Sequence, residues 1–180
     1  FYDDVDTLTA QVDVEFIQQQ YGTASIGYLI FLPVEGASYS ILHYLEDGGN
    51  YLNEFSCLYL YDSYEGEKTY NSPTVYAHEI LHLFGAADLY VGSRDTFVTQ
   101  PLAQYVLNTW PDAIMYYTYN SDNGISYDHI EKTLCPLTAY RLGLVDSFPG
   151  SEQFPAATQD PPGVFSNGAG QNWTASDESA

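Results

Sequence analysis

Two histidines four residues apart, with a glutamate between them, are the residues here whose types and spacing could do chemistry: His78-Glu79-Ile80-Leu81-His82. In a helix, positions i and i+4 stack on one face, so the two imidazoles can share one ion at about 2.0–2.1 Å each, the distance zinc takes. Glu79 then lies about 100° round the helix from His78, able to reach a water at the metal without ligating it. The neighbours Ile80, Leu81, Leu83 and Phe84 are apolar, and among them two imidazoles and a carboxylate are costly to bury unless a metal engages them. The competing reading is chance placement of three polar residues on a core helix.

A catalytic zinc ordinarily takes three protein ligands and leaves a fourth position for water. Asp88 is the candidate third ligand. On a straight helix it would lie about 9 Å beyond His82, out of reach. Gly85, three residues after His82, is the residue that enters the left-handed conformation most cheaply, so it can end the helix and let the chain fold Asp88 back under the metal. Glu131, and after it Asp128, are alternative third ligands from further along the chain.

The elements around this run follow from local signals. Ser72-Pro73 reads as a helix start, serine at the N-cap and proline at N1. The helix should run through Phe84, with its apolar middle buried. Strands are expected over Ser25–Phe31 (ending at Pro33), Tyr39–Tyr44 and Cys57–Tyr61, with a turn at Gly48-Gly49-Asn50 and a polar loop through Asn71. An early helix around Thr9–Gln20 is weakened by its Val and Asp content. Further helices are expected from Pro101 to about Thr109, ended by Pro111, and from Pro136 to near Gly143. No internal repeat is visible.

The run HEILHLFGAAD resembles the extended metzincin signature HExxHxxGxxH, with aspartate in place of the third histidine. That aspartate form is similar to the one in snapalysin-type small secreted proteases. The longer HEILHLFGAADLY is similar to the HExxHxxGxxDLY pattern of immune inhibitor A-type secreted bacterial peptidases. Metzincins carry a methionine turn beneath the zinc. Met115, the single methionine, lies 27 residues past Asp88 in Ala113-Ile114-Met115-Tyr116-Tyr117, which is similar to the astacin-type S-I-M-x-Y turn with alanine for serine. By that match Tyr117 would ligate zinc at rest or stabilise an oxyanion. Leu137–Gly143 (LTAYRLG) resembles a segment that follows the turn in the immune inhibitor group. The resemblance covers residues 72–90, 112–117 and 136–146; the first 70 match no motif.

The resemblance implies an α+β, zincin-like fold: a mixed twisted sheet, an active-site helix, and a mostly helical or irregular C-terminal subdomain. One catalytic domain would span 1–146, its N-terminal subdomain reaching about residue 85 and its C-terminal one covering 86–146. It also implies a zinc-dependent endopeptidase with Glu79 as base. Two other readings stand beside it: a gluzincin-type peptidase with Glu131 as third ligand, and a binding or adhesion module without turnover. Met115 as ordinary core filler, and Tyr117 as one of many structural tyrosines beside Tyr116 and Tyr119, are the bland alternatives.

Composition bounds the rest. With 180 residues and 45% hydrophobic residues the chain is long and apolar enough for one core. Four Lys+Arg against 24 Asp+Glu, a formal net charge of -20, argue against nucleic acid and anionic membrane as partners. The expected partner is a protein or peptide substrate, cut by a monomer, with basic peptides favoured over acidic ones. No apolar run is long enough to span a membrane. The acidity and the activity together point to a secreted, extracellular protein. Cys57 and Cys135 are either one disulfide or two buried thiols. Asp122-Asn123-Gly124 with Asp128 and Glu131 could hold Ca2+ but matches no full EF-hand spacing, and a simple turn is the alternative. His43 and His129 lack ligand-like spacing. Asn172-Trp173-Thr174 is a glycosylation sequon, meaningful in a eukaryotic source. Residues 147–180, rich in Pro, Gly, Ser, Asp and Gln, read as an extended tail.

Overall fold

The computed structural model describes residues 2–22, 26–41, 55–64, 67–93, 95–119 and 126–158, with a short strand pair at 165–166 and 172–173. The chain begins with two short helices, α1 (Tyr2–Thr9) and α2 (Val14–Tyr21). The single early helix expected at Thr9–Gln20 is therefore broken. Asp13 causes the break: its side chain accepts from Phe16 N–H at 3.0 Å and caps a new helix.

Strands β1 (Tyr28–Glu35), β2 (Tyr39–Ile41), β3 (Phe55–Tyr64) and β4 (Glu67–Tyr70) form a small mixed sheet. β3 is its centre. It pairs in parallel with β1 and antiparallel with β2 and β4, which use different stretches of it. β1 runs through Pro33 rather than ending there. Among the described residues it is an edge strand, and its register slips between Leu32 and Glu35, so the missing proline N–H breaks no regular ladder. β4 replaces part of the polar loop expected before Asn71. Its pairing is carried by cross-strand aromatics: Tyr61 stands opposite Tyr70 with ring centroids 4.8 Å apart, and Lys68 Nζ sits 3.7 Å from the Tyr61 centroid. The predicted second strand beyond Ile41 and the turn at Gly48-Gly49-Asn50 lie outside the described residues.

Helix α3 (Pro73–Leu83) packs against β2 and β3. Its buried residues are Thr74, Val75, His78 and Glu79, one face at i, i+4 spacing. The apolar run was expected to be the buried part, but Phe84 is 45% exposed and the polar pair lies inside. Helices α4 (Gln100–Thr109) and α5 (Pro136–Arg141) follow, α4 capped by Thr99 Oγ1 and each with proline in its first turn.

Among the described residues, buried apolar side chains form two clusters. The first joins Val5 of α1 to Phe55 and Cys57 of β3. The second includes Leu89, Leu102, Val106, Met115, Leu137, Phe148 and Ala157. The extended tail expected over 147–180 thus starts later than Ser147: Phe148 and Ala157 are buried, and two 3-10 turns, Ser151–Gln153 and Pro155–Thr158, carry the chain back onto the second cluster. Phe165–Ser166 and Asn172–Trp173 pair antiparallel. Cys57 and Cys135 are free, buried thiols, one in each cluster, which decides against the disulfide. No described helix is long and apolar enough to cross a membrane.

Candidate metal centre

α3 ends in a cap that places the third donor. Gly85 takes φ 88°, its N–H donates to His82 O at 2.9 Å, and Ala86 N–H donates to Leu81 O at 3.1 Å. These are the two bonds of a Schellman motif, which only a left-handed residue closes without strain. The reversal carries Asp88 back to the helix face that bears the histidines. Asp88 Oδ1 lies 3.1 Å from His78 Nε2 and 3.4 Å from His82 Nε2, and the two Nε2 atoms are 3.2 Å apart. His78, His82 and Asp88 form a group that could hold a metal ion.

The other ring nitrogens define the electronic state. His78 Nδ1 is 2.9 Å from the Ile114 carbonyl oxygen, and His82 Nδ1 is 2.7 Å from that of Ala86. A carbonyl only accepts, so each Nδ1 carries a hydrogen, and the second nitrogen, Nε2, is the one whose lone pair a metal would take. Two lone pairs and a carboxylate oxygen therefore converge on one spot. Asp88 Oδ1 is buried without a hydrogen-bond partner, while Oδ2 accepts from Tyr90 Oη at 2.8 Å. Only a cation, whether a proton or a metal, relieves such a cluster.

Titration follows the same logic. Burial would raise the Asp88 carboxyl, but His78, His82 and Tyr90 hold it well below the ordinary carboxylate range. Burial would lower His82, yet Asp88 and the Ala86 carbonyl keep it above its usual value. For Glu79 burial wins: the carboxyl is pushed up, and the two histidines and a hydrogen bond from Ser40 only moderate the rise.

Met115 is fully buried within the turn Ala113–Tyr117, which is closed by Tyr116 N–H and Tyr117 N–H donating to Ala113 O at 3.0 and 3.1 Å. This turn serves two donors. Its Ile114 carbonyl takes the His78 Nδ1 hydrogen, and its Met115 carbonyl accepts from Leu89 N–H at 2.8 Å, next to Asp88. The segment at Thr133 braces it from behind through Ile114 N–H to Thr133 O at 2.9 Å and Thr133 N–H to Asp112 O at 2.8 Å.

Other expected site residues are not brought in. Tyr117 is 56% exposed, its ring leans on Tyr116, and its hydroxyl makes no hydrogen bond among the described residues. Glu131 Oε2 accepts from Ser126 N–H at 3.3 Å, and Asp128 is an exposed partner of Ser126 and His129, so neither joins the group with His78 and His82. For Asp128 and Glu131 the same contacts leave no calcium cluster among the described residues, and Asp122-Asn123-Gly124 and His43 lie outside them. Ser40, Ser56 and Tyr90 were not anticipated as parts of the site. Tyr90 had a signal in its position two residues after Asp88, but the serines had none.

Neither a protein-family model, nor a curated protein, nor a solved structure matches this chain.

Proposed function

We propose that the chain is a zinc-dependent endopeptidase of the metzincin kind, zincin-like in fold, acting as a secreted monomer on protein or peptide substrates. The observation that carries this reading is the donor triangle, with sides of 3.1, 3.2 and 3.4 Å and both Nδ1 atoms turned away onto carbonyls. Zinc bonds of about 2.0–2.1 Å in a tetrahedron put donors roughly 3.3–3.4 Å apart, so the side chains need move only about 0.1–0.3 Å to fit. Two imidazoles and a carboxylate are also a donor set zinc takes readily.

A bound zinc ion would acidify water and polarise a peptide carbonyl. The protein's own part is carried by Glu79. Its carboxyl, raised by burial, is poised to take a proton from the attacking water and to return it to the leaving amine. His78 and His82 are fixed in the required tautomer by Ile114 and Ala86, so neither has to reorient. Glu131 as third ligand loses support because its carboxylate is engaged by Ser126. A module without turnover would have no need of a buried carboxylate beside the triangle.

The test is a quenched-peptide assay with metal analysis. Wild type should carry about one zinc per chain, lose cleavage to a chelator and regain it with zinc. Glu79→Gln should keep the metal and lose at least about 100-fold in kcat. A metal-free wild type, or full activity in Glu79→Gln, would refute the proposal.

A further inference from the structure

A pair of serines from the sheet meets the helix at Glu79. Antiparallel pairing puts Ser40 of β2 directly opposite Ser56 of β3, so both side chains stand on one face of the sheet, the face α3 covers. Their Oγ atoms are 2.7 Å apart. Ser40 Oγ lies 2.6 Å from Glu79 O and 3.2 Å from Glu79 Oε2, and Ser56 Oγ lies 3.2 Å from Glu79 O.

Two hydroxyl hydrogens serve these acceptors. Ser56 donates to Ser40 Oγ, and the Ser40 hydroxyl donates to the Glu79 carbonyl and shares the same hydrogen with Oε2, so both backbone and side chain of Glu79 are held from the sheet. Oε1 then has no partner among the described residues. It is the oxygen left to exchange a proton.

We infer that Ser40 is a positioning residue for Glu79: its hydroxyl holds Oε2 and so fixes the carboxylate that neighbours His78. This rests on the proposed peptidase reading. It goes beyond it in giving strand β2 a part in the alignment of the base. A hydroxyl serving only to satisfy a helix carbonyl would not need to approach the carboxylate.

Zinc-loaded Ser40→Ala and Ser40→Thr, with Ser38→Ala as control, test it. Ser38 Oγ accepts from Tyr59 N–H at 3.0 Å just ahead of β2 and does not touch Glu79. Ser40→Ala should keep its zinc and hold KM within about twofold while kcat falls roughly tenfold or more. Ser40→Thr, which restores the hydroxyl on a strand that suits it, should recover most of the loss, and Ser38→Ala should match wild type. Crystals of the zinc-loaded forms supply a readout besides activity: Glu79 in one rotamer in wild type and in several in Ser40→Ala. Unchanged kcat with an unchanged Glu79 rotamer in Ser40→Ala would overturn the assignment, as would a threonine variant no better than alanine. If wild type and Glu79→Gln cleave at the same rate, the peptidase reading itself has failed, and the rotamer comparison still judges Ser40.

Discussion

Replacing Gly85 by alanine probes the link between helix cap and metal. Gly85 sits at φ 88°, and the cap bonds Gly85 N–H to His82 O and Ala86 N–H to Leu81 O bring the Ala86 carbonyl to 2.7 Å from His82 Nδ1. An alanine held in the left-handed region costs about 1–2 kcal/mol. In the metal-free protein the variant can escape that cost by opening the cap, which withdraws the Ala86 carbonyl and lets Asp88 drift. Binding zinc must close the cap again and recover the strain, so zinc affinity should fall by roughly 5–30-fold, the same free energy read as a ratio. Zinc-loaded protein should unfold about 2–8 °C lower for a chain of this size. A competition titration against a chromophoric chelator measures the first and thermal unfolding under saturating zinc the second. Gly22→Ala is the comparison: φ is 65° there, no atom lies within 4 Å of an added Cβ, and the residue caps α2 rather than α3, so stability should drop with affinity unchanged. Should Gly85→Ala bind zinc as tightly as wild type while Gly22→Ala shows the expected loss of stability, the cap would not be what positions Asp88 and His82.

Three further outcomes follow from the same geometry. Tyr90→Phe removes the donor 2.8 Å from Asp88 Oδ2 and should weaken zinc binding about tenfold in the same titration; unaltered affinity would show that Asp88 needs no such tether. Met115→Ala empties a fully buried site and should cost about 2–5 kcal/mol in urea unfolding, whereas Met115→Leu should cost less than about 1.5 kcal/mol, and equal losses would argue against a packing role. The pH dependence should differ between metal-free and loaded protein. His82 is held above its ordinary 6.5, so its contribution to metal-free stability is complete below 6.5 and lost as pH rises through the folded value. Asp88 is held below its ordinary 3.8, so its contribution is present above 3.8 and lost only at more acid pH. Zinc needs the neutral imidazole, and the increase in melting temperature on adding zinc should therefore grow from pH 6 to pH 8. An increase that is flat or falling over that range would contradict the upward shift of His82.

What could be read ahead of the fold was local. The helix start at Ser72-Pro73, the stop at Gly85 and the return of Asp88 all depend on residues within one or two turns of each other, where backbone rules are strict. The contacts that escaped reading come from register and long-range packing. Ser40 meets Glu79 across 39 residues because β2 and β3 align two serines, and nothing in a serine's neighbours announces that. β4 escaped because Glu67–Tyr70 is mostly polar, and its stability comes from a tyrosine on the opposite strand. Phe148 and Ala157 were hidden by the Pro, Gly and Ser around them, which mark loops but do not say whether a loop returns to the core. Tyr117 is a different case: the pattern points to the site, while the folded side chain is 56% exposed with its ring against Tyr116.

The three donors are oriented by the main chain more than by one another. Ile114 O sets the His78 ring, Ala86 O sets the His82 ring, and the Leu89 N–H to Met115 O bond fixes the segment that bears Asp88. Two of these anchors are adjacent carbonyls of one turn, and the residue between the two peptide planes is Met115. Its burial thus acts on the metal group through the backbone: packing of the methionine side chain holds Ile114 O toward α3 and Met115 O toward Leu89. The third anchor depends on Gly85 alone. Turn and cap are covalently remote from each other, so the triangle closes only in the folded chain, and an unfolded chain offers no more than two histidines at close spacing. Metal binding to this group is therefore a measure of the fold as well as of the ligands, and zinc should raise the stability of the whole chain in proportion to RT ln(1 + [Zn]/Kd).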